Sequence, residues 1–399
     1  MENVELSTTF YSLRFDEEMD HMSSVKSGID IPSLDPQVRP QDDLFRHYNG
    51  KWINEYEMPA DRSSDGIFRK LHDEAEARVR EIIENSSGTG EAQKIGDLYK
   101  SFMDTEAIKA RGISPIVDDL AAIDGITNLH EFITVMARLE MRGIGGIFGA
   151  AIYPDAMDSN TNILYMGQGG LSLPDESYYR EEQFAEIRIA FLDHVAKMCA
   201  LVGIADGAKV ADQILTLETE IATHHWDQVK DRDATLTYNK HSRAELEALA
   251  PNFLFDLWAE HAKVPAKALE SVVVCEPSYF SSVSAMLANF DANRDAWVGW
   301  LKLNLVSASA AYLTDDIVQQ NFEFYAKTLS GTPQIRDRWK RAVSVTQGAL
   351  GEAIGKVYVE KYFPAQAKSE MKKLVDNLLE AYRLSILDLP WMSEATKAK

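Results

Sequence analysis

Histidines with carboxylates close by are the residues of this sequence with most chemistry to offer, and nine histidines occur in 399 residues. A helical zinc site of the hydrolytic kind needs His-Glu-x-x-His. A spacing of four sets both imidazoles on one helix face while the glutamate polarises the bound water. His130-Glu-Phe-Ile-Thr134 comes nearest, and its fifth residue is threonine. His130 borders the apolar stripe of Leu129, Phe132 and Ile133 and reads as a helix-surface histidine. His224-His225 extends the stripe of Leu217 and Ile221, with Glu220 four residues before His224. Adjacent side chains on a helix point about 100° apart, so these two cannot grip one ion together, and a pair packed near Trp226 is expected. His72-Asp-Glu74 and His241 lack a second ligand at usable spacing. No metal site and no catalytic residue is assigned.

Two further patterns invite a chemical reading. Gly348, Gly351 and Gly355 meet neither the dinucleotide nor the P-loop spacing, and no strand precedes them. Small residues at spacings of three and four instead predict that a second helix approaches closely there. The run Arg336-Asp-Arg-Trp-Lys-Arg341 alternates charge with an aromatic ring and reads as a solvated helix face. The alternative is a carboxylate-binding surface, since guanidinium forks pair carboxylates bidentately. A Gly-x-Ser-x-Gly nucleophile motif is absent.

The elements that must position these residues are mainly helical. Ile95, Leu98, Tyr99, Phe102 and Met103 form one apolar stripe of a helix that should end at Gly112. Phe184 to Met198 and Val210 to Ile221 repeat the period, as do Trp297 to Leu305, Phe322 to Leu329 and Met371 to Leu389, the last carrying Leu374, Leu378, Leu379 and Tyr382. Ser242-Arg-Ala-Glu245 is a capping box opening a helix that Pro251 stops. Ile144 to Tyr153 and Asn162 to Met166 break the helical pattern, with the turn-rich Pro154 to Asn160 between them. They predict a single antiparallel hairpin. Pro32, Pro36 and Pro40 punctuate an extended stretch after a polar leader of about 28 residues that is expected to be disordered. The fold class expected is mainly α with a minor antiparallel β-hairpin.

Composition bounds the function. With 41 Lys+Arg against 62 Asp+Glu the formal charge is −21, which repels phosphate backbones and anionic lipid and points away from nucleic acid and membrane partners. Two cysteines, Cys199 and Cys275, form no disulfide framework, and the acidic first thirty residues do not resemble a signal peptide. A cytoplasmic protein is expected.

Several stretches together resemble the neprilysin family of zinc metallopeptidases, which includes endothelin-converting enzyme and the bacterial oligopeptidase O. They are Arg39-Pro-Gln-Asp-Asp-Leu-Phe-Arg-His-Tyr-Asn-Gly-Lys-Trp52, Met58 to Gly66, Gly170-Leu-Ser-Leu-Pro-Asp-Glu-Ser-Tyr-Tyr179, Ala248-Leu-Ala-Pro-Asn-Phe253, Asn321-Phe-Glu-Phe-Tyr325, Arg338-Trp-Lys-Arg341, Tyr358-Val-Glu-Lys-Tyr-Phe363 and Trp391-Met-Ser-Glu394. They run in order from about residue 28 to the end of the sequence.

The resemblance implies a two-lobed helical peptidase whose lobes enclose small peptides, one lobe carrying zinc and the other acting as a lid. It assigns residues 29–66 to an extended N-terminal segment that would pack on the zinc lobe and 67–399 to a large multi-helix lid lobe. The zinc lobe with its His-Glu-x-x-His is absent from this sequence, so zinc is implied for the intact enzyme and none for this chain, which is expected to cleave nothing alone. The implied partners are small peptide substrates and the zinc-binding C-terminal domain. The stretch Arg62 to Glu74 matches one that holds the far end of a peptide through arginine, aspartate and arginine. The gap-free match puts Ser64, Arg69 and His72 there, so the pattern departs from the family's, while Arg62, Asp65 and Arg69 remain chemically able to meet peptide termini. The alternative reading is a stand-alone, non-catalytic helical module that binds peptides or a protein.

Overall fold

The computed structural model describes residues 31–399, so the expected polar leader lies outside the described residues. These fall into two compact units, one up to Pro59 and one from Ala60 onward. The first unit is not extended throughout: Leu44–Glu55 is a helix, started by the Asp43 carboxylate accepting from the Arg46 N–H at 2.8 Å.

Helices dominate the second unit. Ile67–Glu84, Gly90–Met103 and Arg338–Tyr362 enclose a small core of Val79, Ile82, Ile83, Ile95, Tyr99, Phe102, Val343 and Ile354. The helix expected to run to Gly112 is two helices, because Asp104 breaks it and caps Thr105–Arg111, which Gly112 ends at φ 54°. A second, larger core lies among the helices Ser114–Asp124, Leu129–Glu140, Ala185–Leu201, Gly207–Ala222 and Phe290–Ser309. Its centre is aromatic: Phe132 packs on Phe290, Trp297 and Trp300, and Phe148 on Phe253, Trp258 and Phe280, with centroids 4.9–6.5 Å apart.

The hairpin forms and belongs to a larger sheet. Strand β1 (Phe148–Asp155) pairs antiparallel with β2 (Asp158–Gln168), in register from Phe148 opposite Gln168 to Pro154 opposite Asn162. β3 (Lys240–Ser242) and β4 (Ser271–Val274) complete the order β1-β2-β4-β3, with β4 parallel to β2. The run Val272, Val273 and Val274 is fully buried, the signature of a strand covered on both faces. The capping box at Ser242 and Glu245 is present and starts Arg243–Leu249.

Two helical expectations are corrected. Gly348, Gly351 and Gly355 have no close neighbour among the described residues, since a Cβ at any of them would meet nothing within 4 Å. The helix instead departs from helical geometry at Leu350, where φ is −131°, because glycines lower the resistance of that stretch to bending. Phe322 to Leu329 is not α-helical throughout: the helix Asp315–Phe322 widens into a π turn over Glu323–Thr328.

One buried carboxyl organises the chain after β2. Glu218 lies on the apolar stripe of its helix and is completely buried. It accepts from the Ser172 hydroxyl at 2.6 Å, the Ser172 N–H at 3.2 Å and the Tyr179 hydroxyl at 2.6 Å. The Tyr179 hydroxyl in turn accepts from the Leu173 N–H at 3.0 Å. The same loop is held by Trp300, whose indole N–H donates to the Gly170 carbonyl at 3.1 Å. Tyr279 donates to the Ile147 and Gly169 carbonyls, and His225 to that of Gly169 at 2.8 Å. Gly170 sits at φ 84°, which a Cβ would strain.

Burial pushes the Glu218 carboxyl up from 4.5 to about 7, against the opposing effect of its hydroxyl donors. A value raised in the folded state gives a contribution that is complete below the unfolded value and is lost as pH rises through about 7. Glu218→Gln is therefore expected to flatten the fall in stability between pH 5 and 8, by roughly 3 kcal/mol at most. Glu218→Ala, which strands two hydroxyls, should cost about 2–4 kcal/mol at pH 6. Urea unfolding across that pH range measures both; an unchanged pH slope in Glu218→Gln refutes the assignment.

Candidate functional site

Arg62, Asp65 and Arg69 lie where the chain enters the helix Ile67–Glu84. The structure brings the first two together and leaves the third apart. The Arg62 guanidinium, with 12% of its side chain exposed, meets Asp61 at 3.4 Å, Asp65 at 3.2 Å and Asp73 at 3.1 Å. Asp65 also accepts from the Gly66 N–H at 2.7 Å. Burial alone would lower the Arg62 value, and the surrounding carboxylates raise it, so the guanidinium stays charged and committed to its own loop. Arg69 is exposed one turn further on and forms none of these bonds.

The basic run closes the same surface from the other side. Lys340 reaches Asp61 at 2.6 Å, Arg336 reaches the buried Glu76 at 2.7 Å, and Arg338 reaches Asp315 at 3.0 Å and the Phe102 carbonyl. The Arg80 guanidinium lies over the Trp339 ring at 4.3 Å. The expected solvated face is therefore corrected: most of these cations bind carboxylates within the chain. Hydrogen bonding from Lys340 holds the Asp61 carboxyl below its ordinary value.

The histidines are resolved in the same way. His130 is exposed, and Glu131 bonds back to the Thr127 N–H and hydroxyl instead of serving a metal. His224 and His225 do not extend their helix, which ends at Ala222. His225 is partly buried edge-on to Tyr279, and burial lowers its value. His72 has more company than its spacing suggested, since ligand atoms of His72, Asp73 and Glu76 lie within 4.8 Å of one another. Arg62 and Arg336 already neutralise both carboxylates, so the negative charge a divalent cation needs is spent. No group of residues described here fits the zinc set of a hydrolase.

Sequence reasoning missed the buried Glu218 and the half-buried Glu140, which shape the interior. Both stand on apolar stripes, Glu218 between Leu217 and Ile221 and Glu140 four residues after Met136. A carboxylate on the core face of a helix is the signal that could have found them. Burial pushes Glu140 up to about 7, and the Trp258 indole N–H donates to it. A cavity of about 250 Å³ opens between Gly145, Gly146, Gly170, Ser172, Asn304 and Tyr325, reaching Glu218 through Ser172.

The sequence matches peptidase family M13 over residues 40–399. The chain belongs to peptidase family M13. Endothelin-converting enzyme 1 of Rattus norvegicus is 28% identical over 394 residues, covering 94% of this chain and 50% of the relative. The neutral endopeptidase of Lactobacillus helveticus is 27% identical, with 94% and 59% covered. Among solved structures, the Mycobacterium tuberculosis zinc metalloprotease Zmp1 in complex with an inhibitor superimposes with a TM-score of 0.88 at 42% identity, covering 94% of this chain and 57% of that one. The chain thus spans about half the length of these M13 relatives, and it is an M13 N-terminal region.

Removing the central guanidinium takes from Asp61, Asp65 and Asp73 the cation they share. Arg62→Ala is expected to lose about 2–3 kcal/mol of stability, whereas Arg69→Ala should stay within about 0.5 kcal/mol of the parent. Chemical denaturation of the two variants side by side checks this. Equal losses would show that the two arginines are not structurally distinct.

Proposed function

We propose that this chain is the lid region of a zinc metalloendopeptidase, the part that encloses small peptides opposite a zinc-binding domain and so supports their hydrolysis. The observation that carries this reading is the match of residues 40–399 to peptidase family M13, together with likeness to a neutral endopeptidase and a zinc metalloprotease of which the chain covers little more than half. Zinc is then the cofactor of the intact enzyme, held outside this stretch, and the partners are small peptides and the zinc-binding C-terminal domain. Residues 29–66 and 67–399 would serve as the segment packed on that domain and the lid itself. The place of action we propose is the cytoplasm; among the described residues no helix is long and apolar enough to cross a membrane.

Exposed apolar surface supports a partner domain. The helix Ala365–Asp388 buries none of its residues, and Leu374, Leu378, Leu379 and Tyr382 form an uncovered stripe continued by Trp391. In the first unit, Leu44 and Phe45 are equally bare. An apolar stripe left bare along a helix, as on Ala365–Asp388, marks a protein contact. Within the same reading, Arg69 is the member of the Arg62, Asp65 and Arg69 set whose charge is free for a peptide carboxylate, with Arg62 and Asp65 fixing the loop that carries it.

Purified, zinc-supplemented chain is expected to retain no stoichiometric zinc and to leave a quenched fluorescent nonapeptide uncut, and hydrolysis by the chain alone would overturn the proposal. It should also bind a dye specific for apolar surface and self-associate at high concentration, with Leu378→Glu plus Tyr382→Glu reducing both in sedimentation and fluorescence measurements.

A further inference from the structure

The sheet ends in an edge that nothing among the described residues covers. In the order β1-β2-β4-β3, β1 is outermost and over its whole length pairs only with β2. The opposite edge, β3, is three residues long and runs straight into a helix, so β1 alone has the length to accept another strand. From Gly149 to Pro154 every residue is exposed, with Ile152 at 57% and Tyr153 at 60%.

An edge of this kind presents a row of N–H and C=O groups that lack strand partners, and proteins usually blunt it with lysines, prolines or a covering segment. Those guards are weak here. Gly149, Ala150, Ala151, Ile152 and Tyr153 carry no charge, and the single proline, Pro154, stands at the far end beside the bulge at Asp155. Ala150 and Ile152 point to one face and Ala151 and Tyr153 to the other, so small side chains leave the first half of the edge sterically open.

The ribbon is also held in place. At its base Tyr279 bonds the Ile147 and Gly169 carbonyls. At its tip the buried Asp155 carboxylate accepts from the Lys240 ammonium at 2.8 Å, the Tyr238 hydroxyl at 2.7 Å and the Met157 N–H at 2.9 Å. Tyr153 and Tyr165 pack edge-on between the strands. A template fixed at both ends adds little ordering cost to whatever pairs with it.

We propose that β1 is a docking edge on which an extended peptide adds as a further strand along Gly149–Tyr153. The occupant is a neutral or basic peptide, because a chain of net charge −21 disfavours acidic ones. Main-chain bonds supply the affinity, and the apolar side chains beside Ile152 and Tyr153 supply the preference. This rests on the reading of the chain as part of a peptide-handling enzyme and names how a peptide is held on this half.

The test uses the full 399-residue chain and the labelled peptide acetyl-Lys-Val-Thr-Val-Thr-Val-Lys-amide, beside two versions N-methylated at alternating positions. Fluorescence anisotropy should show binding that one N-methylated version weakens about tenfold or more, since only alternate amides of an added strand face β1. Hydrogen exchange should slow over Gly149–Tyr153 when the parent peptide is present. Of Ala150→Pro and Ala151→Pro, the one whose N–H faces outward should lose binding with an unchanged melting temperature. Equal binding by all three peptides, or unaltered exchange in β1, overturns the proposal. So does protection of β1 that appears without peptide and grows with protein concentration, which would assign the edge to a second copy. Such a failure leaves the lid reading standing, because that reading is decided by zinc content and hydrolysis.

Discussion

A fully buried carboxyl is costly unless its oxygens are satisfied, and the interior of this protein depends on satisfying Glu218. Three donors from the Ser172–Tyr179 loop converge on it, so the helix Gly207–Ala222 and the chain after β2 must fold against each other in one register. Because that loop leaves β2 directly, the same constraint sets the base of the ribbon, where Tyr279, His225 and Trp300 take up the remaining carbonyls. The family-like stretch Gly170 to Tyr179 therefore has a physical meaning: it supplies the hydroxyls and the left-handed glycine that one buried acid requires.

Much of this architecture was legible in residue order. Helical periods around Ile95, Phe191, Ile214 and Trp297 placed helices correctly, and the capping box at Ser242 marked a helix start to the residue. The ribbon was legible, with a tighter turn than the expected Pro154 to Asn160, since Pro154, Asp155 and Asp158 to Asn160 belong to the strands. The strand Ser271–Val274 was not identified from its short apolar run, since four residues fit a strand or a helix equally and only the partner β2, far away in sequence, decides between them. The helical period does not distinguish the π turn after Phe322 from an α-helix, and the bend at Leu350 falls in a glycine-rich stretch whose spacing suggested helix packing instead.

Charge was harder to read than hydrophobicity. The alternating run from Arg336 to Arg341 is ambiguous in isolation, because an arginine on a helix looks the same whether it faces water or a carboxylate. Its partners Glu76, Asp61 and Asp315 come from distant parts of the chain. The same distance problem hid the neutralisation of Asp73 and Glu76 beside His72, and it separated Arg62, bound within its own loop, from Arg69. Family membership came from ordered motifs spread along the chain, which no single spacing argument could supply.

The two cores within residues from Ala60 onward share no residue. The smaller rests on three helices, and its outer surface is the ion-paired face of Arg62, Glu76 and Arg336. Cooperative opening follows apolar continuity more than chain continuity. Two separate apolar clusters give this one unit two places at which cooperative opening can begin.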